Sequence, residues 1–394
     1  MLASLRVLPR TVWLLGLVSL LNDTTSELVY PLVPLFLASV LLAGPAALGL
    51  IEGIAEATAS LLKLFSGVLT DRFGRAKVWV VTGYALAALA RPLFTLAASW
   101  PMVLVLRFAD RVGKGLRTSP RDALLAGSVG ADRRGLVFGL HRAMDNAGAV
   151  LGPLLAALLL AQGMTLRDIF LWAVLPGTLT VLLALGIREP PTLPAAARPV
   201  FSWRLAGFPP VFQCYLAVLA LFTLGNSSNM FLLLRARELG LPEYQVPLLW
   251  ALTSAVAMVF SLPLAALSDR IGRLRLILGG WVLHGIVYLA LGLSAPSPPW
   301  LWALFGGYGL VLAATEGAEK ALVADLAPSD RLGTAYGWFN LTTGAILLPA
   351  SLVFGWIYGG LGAPAAFLFS ATVSLVAALL LPLWALAGRA GPPR

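Results

Sequence analysis

Runs of about twenty mostly apolar residues recur along this 394-residue chain, and that is the length a helix needs to cross the ~30 Å hydrocarbon core of a bilayer. The first six fall near 11–40, 46–69, 78–98, 101–126, 135–162 and 168–187. Six more fall near 208–235, 243–267, 275–294, 299–326, 333–359 and 364–387. Only 12% of the residues are charged against 59% hydrophobic, where soluble domains carry about 25% charged residues. A soluble core cannot absorb so much apolar side chain. The expected fold is therefore an all-α membrane protein of twelve transmembrane helices. It divides into an N-terminal six-helix bundle (1–187), a Pro/Ala-rich linker (188–207) and a C-terminal six-helix bundle (208–394).

Charge orients the spans. Arg72/Arg75/Lys77, Arg133/Arg134, Arg188/Arg198/Arg204, Arg270/Arg273/Arg275 and Arg331 occupy alternate connections. The opposite connections are nearly bare, apart from Arg167 and the group Arg235, Arg237 and Glu238. By the positive-inside rule the basic connections and both termini are cytoplasmic. The net charge of +10 thus serves topology and does not form a face for nucleic acid. Arg6 and Arg10 precede an apolar run with no small-residue cleavage site, so the first span reads as a retained helix and not a signal peptide. The single cysteine, Cys214, has no intramolecular partner, and no Cys/His cluster suggests zinc. No Walker A sequence suggests ATP, and no nucleophile constellation suggests an enzyme. No cofactor or resident metal is expected.

One short charged turn occurs twice. Gly67-Val-Leu-Thr-Asp71-Arg72-Phe-Gly74-Arg75-Ala-Lys77 follows the second span, and Ala265-Ala-Leu-Ser-Asp269-Arg270-Ile-Gly272-Arg273-Leu-Arg275 follows the eighth. The offset is 198 residues (71 to 269), half the chain. The pattern G-x-x-x-D-R-x-G-R-x-K/R resembles the loop signature of the major facilitator superfamily. The resemblance implies two six-helix bundles around a central cavity, and alternating access by rocking of the halves. It also assigns Gly67, Asp71, Arg72, Gly74, Arg75, Asp269, Arg270, Gly272 and Arg273 to a conformational latch. Asp122, at the cytoplasmic end of the fourth span, is the acid that Arg72 and Arg75 are expected to reach.

Charged residues inside spans cost roughly 3 kcal/mol each on insertion scales, so they normally face a cavity or a partner. The first span holds Asn22, Asp23 and Glu27, and the second holds Glu52, Glu56 and Lys63. The fourth carries a stripe spaced three or four apart: Arg107, Asp110, Arg111, Lys114, Arg117 and Arg121. The fifth carries His141, Arg142 and Asp145. The second half keeps less: Asn226-Ser-Ser-Asn229, His284, Glu316, Glu319, Lys320, Asp325 and Asn340. Both histidines lack His/Cys neighbours, so neither is expected to bind metal.

Arg107 or Arg111 looks like the superfamily's fourth-helix arginine, which is linked to proton transfer in antiporters. Gly139, Gly148, Gly152 and Pro153 resemble the fifth-helix motif of drug exporters, with Ala156-Ala157 where a pair of glycines is expected. The run Arg107–Ala123 points to a poorly characterised prokaryotic branch. The resemblance thus implies a proton-coupled antiporter of the inner membrane, active as a monomer, that moves a small organic solute outward. The expected pathway combines Asp23, Glu27, Glu52, Glu56, Arg107, Asp110, Arg111, Lys114, His141, Arg142 and Asp145 with Asn226, Asn229, Glu316 and Asn340. A proton site is expected from Asp23 or Glu27 set against Arg107 or Arg111. Two other readings stay open: a metal-cation transporter using the acids and His141, and an anion symporter using the basic stripe.

Overall fold

A proline interrupts one of these spans and a run of small polar residues interrupts another. In the computed structural model, which describes residues 8–73, 75–129, 134–188, 205–293, 297–328 and 332–389, the first span is two helices, α1 (Arg10–Val29) and α2 (Leu32–Ser39). Pro31 offers no N–H to the preceding turn, so the helix breaks there. The seventh span breaks as well, into α9 (Pro210–Gly225) and α10 (Met230–Glu238) around Asn226-Ser227-Ser228-Asn229. Short polar side chains compete with the helical ladder there, and Ser228 Oγ accepts from the Met230 N–H at 3.3 Å. Pro31 and Asn229 are 198 residues apart, so the two breaks are repeat-related.

The other spans are α3 (Pro45–Phe73), α4 (Ala76–Ala90, extended by a 3₁₀ turn), α5 (Trp100–Gly127), α6 (Arg134–Ala161) and the pair α7 (Leu166–Trp172) and α8 (Val174–Leu185). After the linker come α11 (Gln245–Ile271), α12 (Arg273–Leu293), α13 (Pro298–Leu326), α14 (Leu332–Leu361) and α15 (Ala363–Arg389). Among the described residues, nine spans are long and apolar enough on composition alone to cross a membrane. The three that fall short are the first, fourth and tenth. They carry Asp23 and Glu27, the basic stripe, and the Glu316–Asp325 group.

Two compact units result. Unit one is residues 1–43, 54–198 and 242–251, and unit two is 44–53, 199–241 and 252–394. The segments 44–53 and 242–251 correspond at the 198-residue offset, so each unit includes the repeat-related start of a helix from the other half of the sequence. In unit one, α1 packs along α6, α4 along α5, and α8 covers α1 and α4. In unit two, α12 packs along α13 and α15, while α9 packs along α14 and α15.

Without a hydrophobic drive between helices in lipid, close approach depends on small residues. A Cβ on Gly83 would lie 2.5 Å from the Gly113 carbonyl oxygen, and α4 and α5 touch backbone to backbone. On α6, a Cβ on Gly148 would lie 2.5 Å from the Leu20 oxygen, and one on Gly152 would lie 2.5 Å from the Thr24 oxygen. Gly148 and Gly152 therefore seat α6 on the segment of α1 that carries Asp23 and Glu27. In unit two the Phe222 and Trp281 rings stack at 4.2 Å.

Gly152→Ala puts a methyl against backbone that cannot rotate away, and overpacking of this kind costs about 1–3 kcal/mol. We predict a lowered thermal midpoint for purified Gly152→Ala, measured by intrinsic fluorescence in detergent. Gly359, with nothing within 4 Å of its would-be Cβ, should tolerate alanine without loss.

Candidate functional site

The polar interior of unit one is built around one carboxylate. Asp110, on α5 and 1% exposed, meets three guanidiniums: Arg91 Nε at 2.9 Å, Arg107 Nη1 at 3.3 Å and Arg111 Nε at 3.6 Å. Arg111 also reaches Glu56 of α3 at 3.3 Å. Arg91, beyond the end of α4 and 3% exposed, donates from Nη1 to the Asn22 carbonyl at 3.0 Å and to Asn22 Oδ1 at 3.1 Å. The Asn22 amide then donates to Asp23 Oδ1 at 2.8 Å. A chain of polar contacts thus runs from α5 through α4 to α1. Arg107 also lies over the Tyr30 ring, 5.3 Å from its centroid, at the α1 break.

The acids of α1 are held differently. Glu27 is bonded by a neutral donor, Trp250 Nε1, at 2.8 Å, and Tyr30 packs on the same indole at 5.2 Å. Among the described residues, Asp23 has the Asn22 amide and no ion pair. The Lys114 ammonium, one turn along α5 from Arg111, has neither a hydrogen bond nor an ion pair within that set. These three side chains are part-exposed. On α6, His141 sits 3.4 Å from Asp145, and Arg142 is exposed. Asp122 is paired with its neighbour Arg121 at 2.9 Å.

Unit two repeats the positions with neutral chemistry. At the 198-residue offset Asp110, Arg107 and Arg91 become Tyr308, Phe305 and Leu289. Tyr308 donates its hydroxyl to Asn229 Oδ1 at the α9/α10 break. Ser228 donates to Glu52, which is 1% exposed, at 3.3 Å. Tyr30 and Trp250 in unit one occupy the positions of Ser228 and Glu52 in unit two, so one joint is built twice from different side chains. Glu319 is buried and accepts from Trp281 Nε1 at 2.9 Å. Glu316 and Asn340 are exposed, Asn226 caps α9, and Glu316 pairs with Lys320 at 3.7 Å. Arg273 reaches Asp325 of α13 at 3.0 Å, Arg75 and Arg270 are exposed, and Gly272 takes a positive φ of 93°. Gly74 lies outside the described residues, as do the side chains of Asp71, Arg72 and Asp269.

The Major Facilitator Superfamily profile matches residues 15–346 and, again, 216–394. The chain belongs to the major facilitator superfamily. An uncharacterised MFS-type transporter of Methanocaldococcus jannaschii is 33% identical over 95% of both chains. The multidrug resistance protein MdtH of Photorhabdus laumondii is 25% identical over 84% of this chain and 82% of its own. Among solved structures, the nucleoside transporter NupG superposes with a TM-score of 0.76 at 14% identity, covering 95% of this chain and 99% of that one. This superfamily chain is thus a secondary transporter with the twelve-helix fold.

The sequence indicated the acids and the basic stripe, but not Arg91, Trp250 or Trp281. Arg91 is the only charge in a long apolar run and sits near its end, where it reads as a boundary residue. The two tryptophans lie mid-run, where an indole reads as core. Nor do Arg107 and Arg111 lie within ion-pair distance of Asp23 or Glu27, because Asp110 and Glu56 hold them.

Removing one partner of a buried ion cluster leaves uncompensated charge and costs about 3–5 kcal/mol. Asp110→Asn should therefore unfold at clearly lower temperature than the wild type in detergent. Asp23→Asn, which breaks no ion pair, should stay within about 1 kcal/mol of it.

Proposed function

We propose that this transporter exports a small organic solute with a charged or zwitterionic end, by alternating access, in exchange for protons. It would act as a monomer in a prokaryotic inner membrane with both termini in the cytoplasm. The observation that carries the reading is the contrast inside unit one. Asp110, Arg91, Arg107, Arg111 and Glu56 are tied to one another by ion pairs, whereas Asp23, Glu27 and Lys114 are part-exposed and make no ion pair among the described residues. Ionisable groups at this depth without a charged partner are functional by default. Two acids on one helix and an amine on a facing one suit an ammonium and a carboxylate, or a proton alternating with either. The resemblance to MdtH, a multidrug resistance protein, supports export.

Two further parts of the reading rest on other residues. The Arg273–Asp325 pair supports a latch in which the charged turn after α11 ties to the end of α13, with Asp71 and Arg72 serving the first half in the same way. Gly148 and Gly152, by fixing α6 on α1, would transmit motion of α6 to the acids.

The test uses proteoliposomes with a trapped pH dye and a panel of zwitterionic and cationic amphiphiles. We predict that an imposed pH gradient drives solute uptake into inverted vesicles with matching proton movement, and that Asp23→Asn abolishes both. Solute flux that ignores the pH gradient and follows sodium or a counter-solute would sink the proton-coupled reading. Micromolar calorimetric binding of a transition-metal ion, lost in Asp23→Asn, would replace the organic solute with a metal cargo. For the latch, Asp71→Asn should cut flux several-fold while leaving insertion and the thermal midpoint unchanged. Full flux in that variant would remove the latch.

A further inference from the structure

We propose that Arg117 is the conditional counter-cation of Asp23. The two pair when Asp23 is ionised and separate when Asp23 takes up a proton, with the Tyr84 ring holding the released guanidinium. The inference deepens the proton-coupled reading above and rests on it.

The other arginines near α1 are already engaged. Arg91, Arg107 and Arg111 converge on Asp110, Arg111 also serves Glu56, and Arg121 holds Asp122. Arg117 differs. It is 4% exposed, no carboxylate among the described residues lies within ion-pair distance of it, and its Nη1 has no hydrogen-bond partner there. Its guanidinium carbon lies 4.8 Å above the Tyr84 ring. A guanidinium keeps its charge at any pH a protein meets, so burial cannot neutralise it by removing a proton. A cation–π contact compensates only part of a buried charge. Arg117 is therefore a cation in want of an anion.

The helix register supplies the anion. Arg121 Nη1 reaches Ser19 Oγ at 3.4 Å, and Arg107 covers Tyr30 at 5.3 Å. Numbers fall along α5 as they rise along α1, so the two helices are antiparallel. One turn back from Arg121 is Arg117, and one turn on from Ser19 is Asp23. The two observed contacts bracket the pair and place Arg117 opposite Asp23. Among the described residues no cation lies within ion-pair distance of Asp23, whose hydrogen bond comes from the neutral Asn22 amide.

Other charges act on Asp23 without lying opposite it: Lys114 of α5 does so from three residues beyond Arg117, where the same register places it at the level of Glu27. Asp145 of α6 acts on Asp23 as a like charge, and Arg121 of α5 acts on it from beyond its bond to Asp122. Glu27, on the same helix, is bound to Trp250. His141 of α6 pairs with Asp145, Arg91 binds Asn22, and α8 presents no ionisable residue. In the step itself the Asp23 carboxyl releases its proton to water and the carboxylate then draws Arg117 from Tyr84. No covalent bond to Arg117 forms or breaks.

The test is an infrared pH titration of the purified protein in liposomes, with no solute present. The protonated-carboxyl band that disappears in Asp23→Asn identifies Asp23. In Arg117→Gln its pH midpoint should rise by about one unit or more, a tenfold gain in proton affinity, because a guanidinium favours the ionised acid. Arg117→Lys should recover most of that shift, and Arg121→Gln should move the midpoint less than Arg117→Gln does. Tyr84→Leu removes the resting place of the guanidinium, so its midpoint should fall. Arg117→Gln and Tyr84→Leu moving the midpoint in opposite directions is what a loss of packing would not produce. An unmoved midpoint in folded Arg117→Gln, a larger shift in Arg121→Gln, or shifts of the same sign in Arg117→Gln and Tyr84→Leu overturns the proposal. The titration needs no transport, so its result stands apart from that of the flux experiment.

Discussion

A charge at bilayer depth is costly unless something nearby offsets it, and in the first unit three such charges meet at Asp110. One carboxylate draws Arg91 from the end of α4 and two arginines from its own helix, and through Arg91 it fixes the Asn22 backbone of α1. The desolvation penalty that makes such groups expensive also makes them rigid, since no member can leave without exposing the others. Three helices are thereby held in one register. Against that frame Asp23, Glu27 and Lys114 stand out as part-exposed groups that make no ion pair among the described residues.

The repeat gives an internal comparison. The second unit uses the same backbone positions, including the break in its leading helix, but fills them with Tyr308, Phe305, Leu289 and Asn229. A hydroxyl–amide bond can hold a helix break as an ion cluster can, without the desolvation cost of full charges. The same scaffold thus supports a charged interior and a neutral one. Charge is not confined to the first unit, however: the first, fourth and tenth spans, which fall short of the apolarity of the rest, carry Asp23 and Glu27, the basic stripe, and the Glu316–Asp325 group.

Much of this is legible in the sequence because bilayer-spanning length, turn residues and duplicated charges are local signals. The spans, the 198-residue offset and the stripe on α5 all depend on spacing along one helix. Partner choice does not. Periodicity puts Arg107, Arg111 and Lys114 on one face of α5, yet it cannot say that Asp110 on that face consumes the first two. Arg91 stays hidden because its partner is nineteen residues away on another helix. The interrupted helices at Pro31 and at 226–229 read as single spans, because apolar residues continue on both sides of each break. The fifth-span glycines are visible as a motif, while the seat of Gly148 and Gly152 on Leu20 and Thr24 is tertiary information.

The reciprocal inclusion of 44–53 and 242–251 bears on how the molecule can be divided. A cut in the linker gives two pieces of nearly equal length, each with six spans and its own copy of the charged turn. Each piece loses a contact of its own unit. The first would lack the segment bearing Trp250, leaving the Glu27 carboxylate without its indole donor, and the second would lack the segment bearing Glu52, leaving Ser228 without its acceptor. The boundary between the compact units therefore does not fall at the linker, because each unit includes ten residues encoded in the other half of the sequence.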